Sequence, residues 1–301
     1  MAQLPIIIGT RGSELALWQA HYIEQRLIAA GHEVIIKIIK TKGDKIQHLS
    51  FDKIEGKGFF TKELQDALLA GEIDMAVHSH KDLETQQPDG LMIAAVTERE
   101  EPHEVILIKE EAREPSQPLE LPENAVVGTS SIRRKMILGN IRPDLKFEDL
   151  RGNVPTRIQK LRDGSWHAIV LAKAGLNRIA PDLSGLHLLA LEPHDFVPAP
   201  AQGALALECR SNDARLQIVL AALNHEQTAA AVQIERAILR GVGGGCQVPL
   251  AAHAIQHDGL WQVFTSFTNG LDQPMQRIHV AGPSPSELIQ KTLETLVIDR
   301  S

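Results

Sequence analysis

The chain has 301 residues, of which 43% are hydrophobic, and a formal net charge of −7. Such a length suits two or three domains rather than one core, and the acidic balance argues against a nucleic-acid partner, which calls for a basic excess. No apolar run reaches the roughly 18–20 residues of a membrane span, and the opening MAQLPIIIGTRGSE has no secretory pattern, so a cytoplasmic protein without a membrane partner is expected. The two cysteines, Cys209 and Cys246, form no C-x-x-C pair. A zinc knuckle or thioredoxin-type motif is therefore absent; free thiols are expected in the absence of an export signal, with one disulfide as the alternative.

Pro5 to Gly9 reads as a strand. Ser13 is the N-cap of a helix with Leu15, Trp18, Tyr22, Ile23 and Leu27 at helical spacing, and Gly31 is its stop. Val34 to Ile39 is a β-branched strand, followed by a helix over Thr61 to Ala70 and a strand over Ile73 to Val77. This alternation predicts a parallel sheet with helices on its faces. The middle third echoes the first. IIIGTRGSELAL from Ile6 matches AVVGTSSIRRKMIL from Ala125, TKGD (Thr41 to Asp44) matches LRGN (Leu150 to Asn153), and IDMAVHSHK matches WHAIVLAKA. Three echoes in one order predict paired α/β domains. Glu110 to Asn124 reads as a loop, and domain crossings are expected near Thr97 to Pro102 and Pro193 to Pro200. Beyond them come an alanine-rich helix over Gln227 to Arg240, the run GVGGGCQVP, and short strands around an Asp258-Gly259 turn. A last helix is capped by Ser284 or Ser286. This end reads as a small α+β domain with an antiparallel sheet. The expected division is 1–98 with 199–222, then 99–198, then 223–301.

In open α/β sheets ligands bind at the carboxyl ends of strands, and the unusual polar residues fall there. They are Thr10, Arg11 and Ser13; His78 to Asp82; Thr129, Ser130, Ser131, Arg133 and Arg134; and Arg151, Asn153 and Arg157. Helix N-termini add N–H donors and a dipole that favours anions, and guanidinium forks match carboxylates. The pattern predicts a cleft lined with anion donors for a small ligand with several carboxylates. The plainer alternative is a solvated surface of mixed charge. Asp82 is a carboxylate amid cations. It is either a cap or ion-pair partner of Lys81, or it faces a cationic or N–H-bearing part of the ligand. His78 and His80 could share a strand face as metal ligands, but no third ligand of fitting spacing follows, and no metal is expected. Cys246 is either a buried, inert residue or a thiol used for covalent attachment. No Lys-Ser/Thr follows its glycines, which excludes a Walker-type phosphate loop.

Taken together, these residues resemble the porphobilinogen deaminase (hydroxymethylbilane synthase) family. The matching stretches are TRGSELALWQA, GKGFFTKEL, DMAVHSHKDL, VGTSSIRR, LRGNVPTR, AIVLAKAGLNR, PAPAQGALALECR, ALNHEQT, ERA and GGCQVP, in family order from about Thr10 to Pro249. The resemblance implies an α/β fold of three domains. Two are alike, similar to type II periplasmic binding proteins with a cleft between them, and a small α+β third domain carries the cysteine. It implies a dipyrromethane cofactor bound by thioether to Cys246, stepwise addition of porphobilinogen with loss of ammonia, release of hydroxymethylbilane by water, and a monomer. Asp82 is then the catalytic group, stabilising positive charge near the pyrrole nitrogens. Ser13, Lys81, Thr129, Ser131, Arg133, Arg134, Arg151 and Arg157 would hold the cofactor, and Arg11 and Arg178 the substrate. Two positions depart from the family pattern: Glu84, where proline is common, and Ala201, where glycine is common. Both bear on loop or hinge geometry. The rival reading is a non-enzymatic receptor for a polycarboxylate anion, since fold alone does not fix function. A cysteine hydrolase lacks a recognisable base partner.

Overall fold

The computed structural model describes residues 4–40, 61–245 and 248–299; Cys246 and the Thr41 to Asp44 stretch lie outside them. The chain starts with β1 (Ile6–Thr10), α1 (Glu14–Ala29), β2 (Val34–Ile38), α2 (Lys62–Leu69), β3 (Met75–Ser79) and β4 (Leu91–Val96). The Ser13 hydroxyl accepts from the Ala16 N–H at 3.4 Å and so caps α1. Gly31 leaves the helix at φ +89°. Ala20, Ile23 and Leu27 of α1 pack on Ile6, Ile8, Met75 and Val77 of the strands. The strand expected from Ile73 starts two residues later, at Met75. The Asp74 carboxylate, just ahead of it, accepts from the Ile7 N–H at 2.9 Å.

Next come β5 (Glu104–Lys109), β6 (Val126–Gly128), α3 (Ile132–Ile141), β7 (Lys146–Glu148), α4 (Val154–Asp163), β8 (Ala168–Ala172), α5 (Lys173–Ile179) and β9 (Leu186–Leu191). The loop read at 110–124 holds two short 3-10 turns. The remainder is β10 (Leu205–Arg210), α6 (Ala214–Ala221), α7 (Glu226–Gly241), β11 (Leu250–His257), β12 (Leu260–Phe267), β13 (Gln276–Gly282) and α8 (Pro285–Thr295). Asp258 and Gly259, both at positive φ, close the β11–β12 hairpin, as a two-residue turn of this type requires. Ser284 is the residue that caps α8.

Two five-stranded sheets have the orders β2-β1-β3-β10-β4 and β7-β6-β8-β5-β9, and a third, three-stranded sheet is β11-β12-β13. The first two repeat one another strand for strand. Neither is purely parallel, unlike the expectation: β10 runs antiparallel to β3 and β4, and β5 antiparallel to β8 and β9. Local alternation of strand and helix could not reveal this, because β10 enters its sheet from more than a hundred residues away.

The chain divides into two compact units, residues 1–100 with 203–230 and residues 101–202 with 231–301. The antiparallel sheet belongs to the second, where Ala251, Phe264 and Met275 join the core around Ile106, Val127 and Phe196. Ala201 stands at φ +65° and is fully buried, which gives a conformational reason for the glycine common at this position. Its N–H donates to the buried Glu235 carboxylate at 2.7 Å. After α7, Gly243, Gly244 and Gly245 all take positive φ. Side chains would be strained there, so the run leading to Cys246 reads as a backbone requirement. Among the described residues, no helix is long and apolar enough to cross a membrane.

Candidate active site

In the first unit, the loop after β1 carries Thr10, Arg11 and Ser13. Thr10 is buried and its hydroxyl donates to the Ala16 carbonyl at 3.0 Å, while Arg11 and Ser13 are half-buried. At the end of β3, the Ser79 hydroxyl accepts from Gln19 Nε2 at 2.9 Å. A 3-10 turn, His80–Asp82, follows. The turn is pinned on both sides. The buried His80 donates its N–H to the Ala204 carbonyl at 3.0 Å, and the buried Leu83 returns its N–H to His80 at 3.3 Å. Between these anchors Lys81 is half-buried and Asp82 is exposed. Asp82 thus offers its carboxylate to solvent from a fixed backbone.

His78 points into the protein. Its Nε2 lies 2.9 Å from Oε2 of Glu208, and Gln65 Nε2 donates to Oε1 of the same carboxylate at 3.0 Å. His78 is thereby engaged by the core. Among the described residues, no group of three or more His, Cys, Asp or Glu could hold a metal ion.

In the second unit, the loop after β6 holds Thr129, Ser130 and Ser131. The buried Thr129 accepts the Ser131 N–H on its hydroxyl at 3.3 Å, and the Ser131 hydroxyl caps α3 at the Arg134 N–H. Arg133 and Arg134 then occupy the first turn of α3, where no acidic residue stands. Both are 6% exposed, and both reach the fully buried Glu104 at the head of β5. Arg133 donates to Oε1 of Glu104, and Arg134 donates to Oε2 at 2.7 Å. Their other terminal nitrogens donate to the Val197 carbonyl at 3.2 Å and the Val170 carbonyl at 2.7 Å. Burial pulls the Arg133 guanidinium below the ordinary arginine value, and Glu104 opposes that shift. Two guanidiniums against one carboxylate leave an excess positive charge at a helix N-terminus, which is itself positive.

Past β7, Arg157 Nε donates to the Gly152 carbonyl at 2.7 Å, and Asn153 caps α4 by accepting the Thr156 N–H at 2.9 Å. Arg151 is half-buried, and its carbonyl accepts from Lys160 Nζ at 3.1 Å. Arg178, 8% exposed, stands in the last turn of α5. The structure thus brings Thr129, Ser131, Arg133 and Arg134 together on one loop and helix start, and Lys81 and Asp82 on one turn. Cys246 lies outside the described residues. The other cysteine, Cys209, is buried in the core of the first unit, with its thiol pushed up to about 11 by desolvation. Such a thiol is a poor nucleophile.

Sequence reasoning did not single out Glu104 or Glu208. One signal was present for each. Glu104 opens the apolar run EVILIK and Glu208 interrupts ALALECR, so both are charges inside buried strands, and a charge there requires a partner.

A family model described as porphobilinogen deaminase, dipyromethane cofactor binding domain, matches residues 6–218, and one described as porphobilinogen deaminase, C-terminal domain, matches residues 229–289. A porphobilinogen deaminase of Nitratidesulfovibrio vulgaris (strain DP4) is 48% identical over 254 residues, covering 83% of this chain and 78% of its own. One of Geobacter metallireducens is 43% identical over 274 residues, covering 90% of this chain and 84% of its own. Among solved structures, the Bordetella pertussis BvgS periplasmic VFT2 domain aligns with 14% identity and a TM-score of 0.44, over 76% of this chain and 92% of that one.

Proposed function

The chain belongs to the porphobilinogen deaminase family, and from that premise we infer what its own residues do in the family's reaction. The reaction joins porphobilinogen units head to tail with loss of ammonia on a dipyrromethane primer, and water then releases hydroxymethylbilane. The chain is accordingly a transferase of tetrapyrrole and heme biosynthesis.

The residues of the second unit fit a dipyrromethane, which carries carboxylate side chains because it is built from two substrate units. Arg133 and Arg134 leave a net positive charge beside their single carboxylate, and among the described residues Nε of Arg134 has no acceptor. A ligand carboxylate would complete that set. When bound, the cofactor supplies the pyrrole carbon to which the first substrate is joined. Arg133, Arg134, Arg151 and Arg157 would hold its carboxylates, with Ser13, Lys81, Thr129 and Ser131 as further donors. Arg11 and Arg178 would take the acetate and propionate of the incoming porphobilinogen.

Asp82 has a different task. A carboxylate repels the substrate's acid groups, so its partner is the pyrrole N–H. Loss of ammonia makes that nitrogen more positive. The interaction therefore strengthens toward the transition state, the condition for raising the rate rather than merely binding. Asp82 would also take and return a proton at the ring nitrogen, and its exposure on a pinned turn supports this reading.

The observation that carries the reading is the buried cluster of two arginines and one glutamate. We further read the chain as a cytoplasmic monomer that works on a small molecule without nucleic acid; the net charge of −7 supports the last of these alone. The test is the intact mass of the purified protein. Wild type and Cys209→Ser should carry an adduct of two pyrrole units, and Cys246→Ser should carry none and be inactive. An unmodified wild-type chain would favour the anion-receptor reading. An adduct mapped to Cys209 would overturn the attachment at Cys246.

A further inference from the structure

Buried arginines occur in two settings in the second unit. Arg142, 7% exposed, spends all its donors on the protein. Its Nε and one terminal nitrogen clasp the Asp144 carboxylate at 2.7 and 2.6 Å, and the carbonyls of Pro118, Leu121 and Pro122 accept the rest. One cation meets one anion, and the group is a closed structural plug.

Arg133 and Arg134 are as deeply buried but are not closed in this way. They share the single carboxylate of Glu104, one oxygen each, and each keeps one carbonyl acceptor. Nothing in the first turn of α3 adds negative charge. Burial of an uncompensated charge is costly, so a purely structural cluster would be expected to balance its charges. Glu104 does something narrower than neutralising the pair. Its two oxygens fix two guanidiniums side by side, and they also keep the like charges apart. Its place on the sheet is also specific. It is the first residue of β5, and it pairs with Ala172, the last residue of β8. It therefore sits at the carboxyl end of the parallel strands, the end where ligands of open α/β sheets are received.

We propose that Glu104 is a positioning residue, whose carboxylate splays Arg133 and Arg134 into a fixed fork for one further carboxylate, that of the dipyrromethane. This rests on the reading that those arginines hold cofactor carboxylates. Glu104 touches no reacting atom. Its effect is on assembly, because a fork set in advance captures a carboxylate without reorganising.

The test is loading of apo-protein, prepared in cells that make no porphobilinogen and followed by intact mass after porphobilinogen is added. Glu104→Asp keeps the charge but draws it back by one methylene, a misplacement of roughly 1 Å or more. It should fold with wild-type circular dichroism and load about 10- to 100-fold more slowly. Glu104→Gln, where it folds, should load more slowly still, since an amide accepts through one oxygen only. A folded Glu104→Asp that loads at the wild-type rate overturns the proposal. So does a Glu104→Asp that fails to fold, which would make Glu104 a core strut alone. Arg134→Met separates the two levels. If Arg134→Met loads normally, the carboxylate-holding reading itself fails. If Arg134→Met loads poorly while Glu104→Asp loads normally, only the role of Glu104 fails.

Discussion

The two five-stranded sheets share one strand order, and each buries a glutamate on its antiparallel strand, yet the two glutamates keep different company. Glu208 lies in the middle of β10, opposite Ala76 of β3 and Ile93 of β4. Its partners are His78 and Gln65, which place no second permanent charge beside it. Glu104 stands at the head of β5, beside the last residue of β8, and its partners are two arginines. The position along the strand accounts for the difference. In mid-strand a carboxylate meets only core, and its hydrogen bonds must close within the protein. At the strand end it borders the ligand side, where an open valence is useful. One slot in a repeated topology holds a histidine and a glutamine of the core in one unit and two arginines, the proposed anion donors, in the other. The strand ends contrast as well. β3 runs into a turn that exposes Asp82, whereas β8 runs straight into α5 at Lys173.

The sharpest way to break this contrast is at Asp82. Asp82→Asn keeps size and removes charge, and its turnover should fall by roughly 10²- to 10⁴-fold with the protein folded and its cofactor present. Asp82→Glu should retain more activity, because charge survives a shift in position. Both are measured as turnover of variants whose cofactor content has been checked by mass. A loaded Asp82→Asn within a few-fold of wild type would reduce Asp82 to a cap or ion-pair member.

A smaller and different effect is expected at Glu208. Glu208→Gln keeps one acceptor oxygen, for Gln65 or His78, but loses the second and the carboxylate's charge, and should cost about 1–3 kcal/mol of stability. Urea unfolding measures that loss, and intact mass should show normal dipyrrole loading. Slow loading in Glu208→Gln, matching Glu104→Asp, would dissolve the distinction between mid-strand and strand-end glutamates.

The smallest effect concerns the segment that returns from the second unit to the first. Ala201→Gly should relieve a left-handed alanine and raise stability by at most about 1 kcal/mol, since glycine's greater freedom in the unfolded chain offsets part of the gain. A rise in Tm of a few degrees or less, with turnover unchanged, is the expected result. A fall in Tm would mean that the Ala201 methyl contributes packing worth more than its strained backbone.

What the sequence made legible was local. Ser13 caps the helix that the apolar spacing marks out, Ser284 is one of the two serines expected to cap the last helix, and the Asp258-Gly259 dipeptide makes its hairpin. These signals act over a few residues, the range in which a cap or turn is decided. The paired α/β organisation was legible because the same local signals recur in order. The antiparallel strands were not, since pairing of β10 with β3 joins residues about 130 apart, as Ala206 with His78. Within the site, the strand-end placement of Asp82, Arg133 and Arg134 was legible from the motifs. That Arg133 and Arg134 are buried and already share a carboxylate was not, because Glu104 precedes them by 29 and 30 residues with no periodic link. Ala201 was visible only as a departure; its positive φ supplies the reason.

The place of β10 also bears on the order in which the chain can fold as it is made. The second sheet draws on a continuous stretch, Glu104 to Leu191, and can close once that stretch has left the ribosome. The first sheet cannot. β10 fills the gap between β3 and β4, so those earlier strands wait, with two unpaired edges, for residues 205–210 to be synthesised. Distant pairings of this kind are slow to form, and open strand edges invite association with other chains. Of the two five-stranded sheets, the one translated first is therefore the one closed second, and nascent chains shorter than about 210 residues are where holding chaperones would matter most.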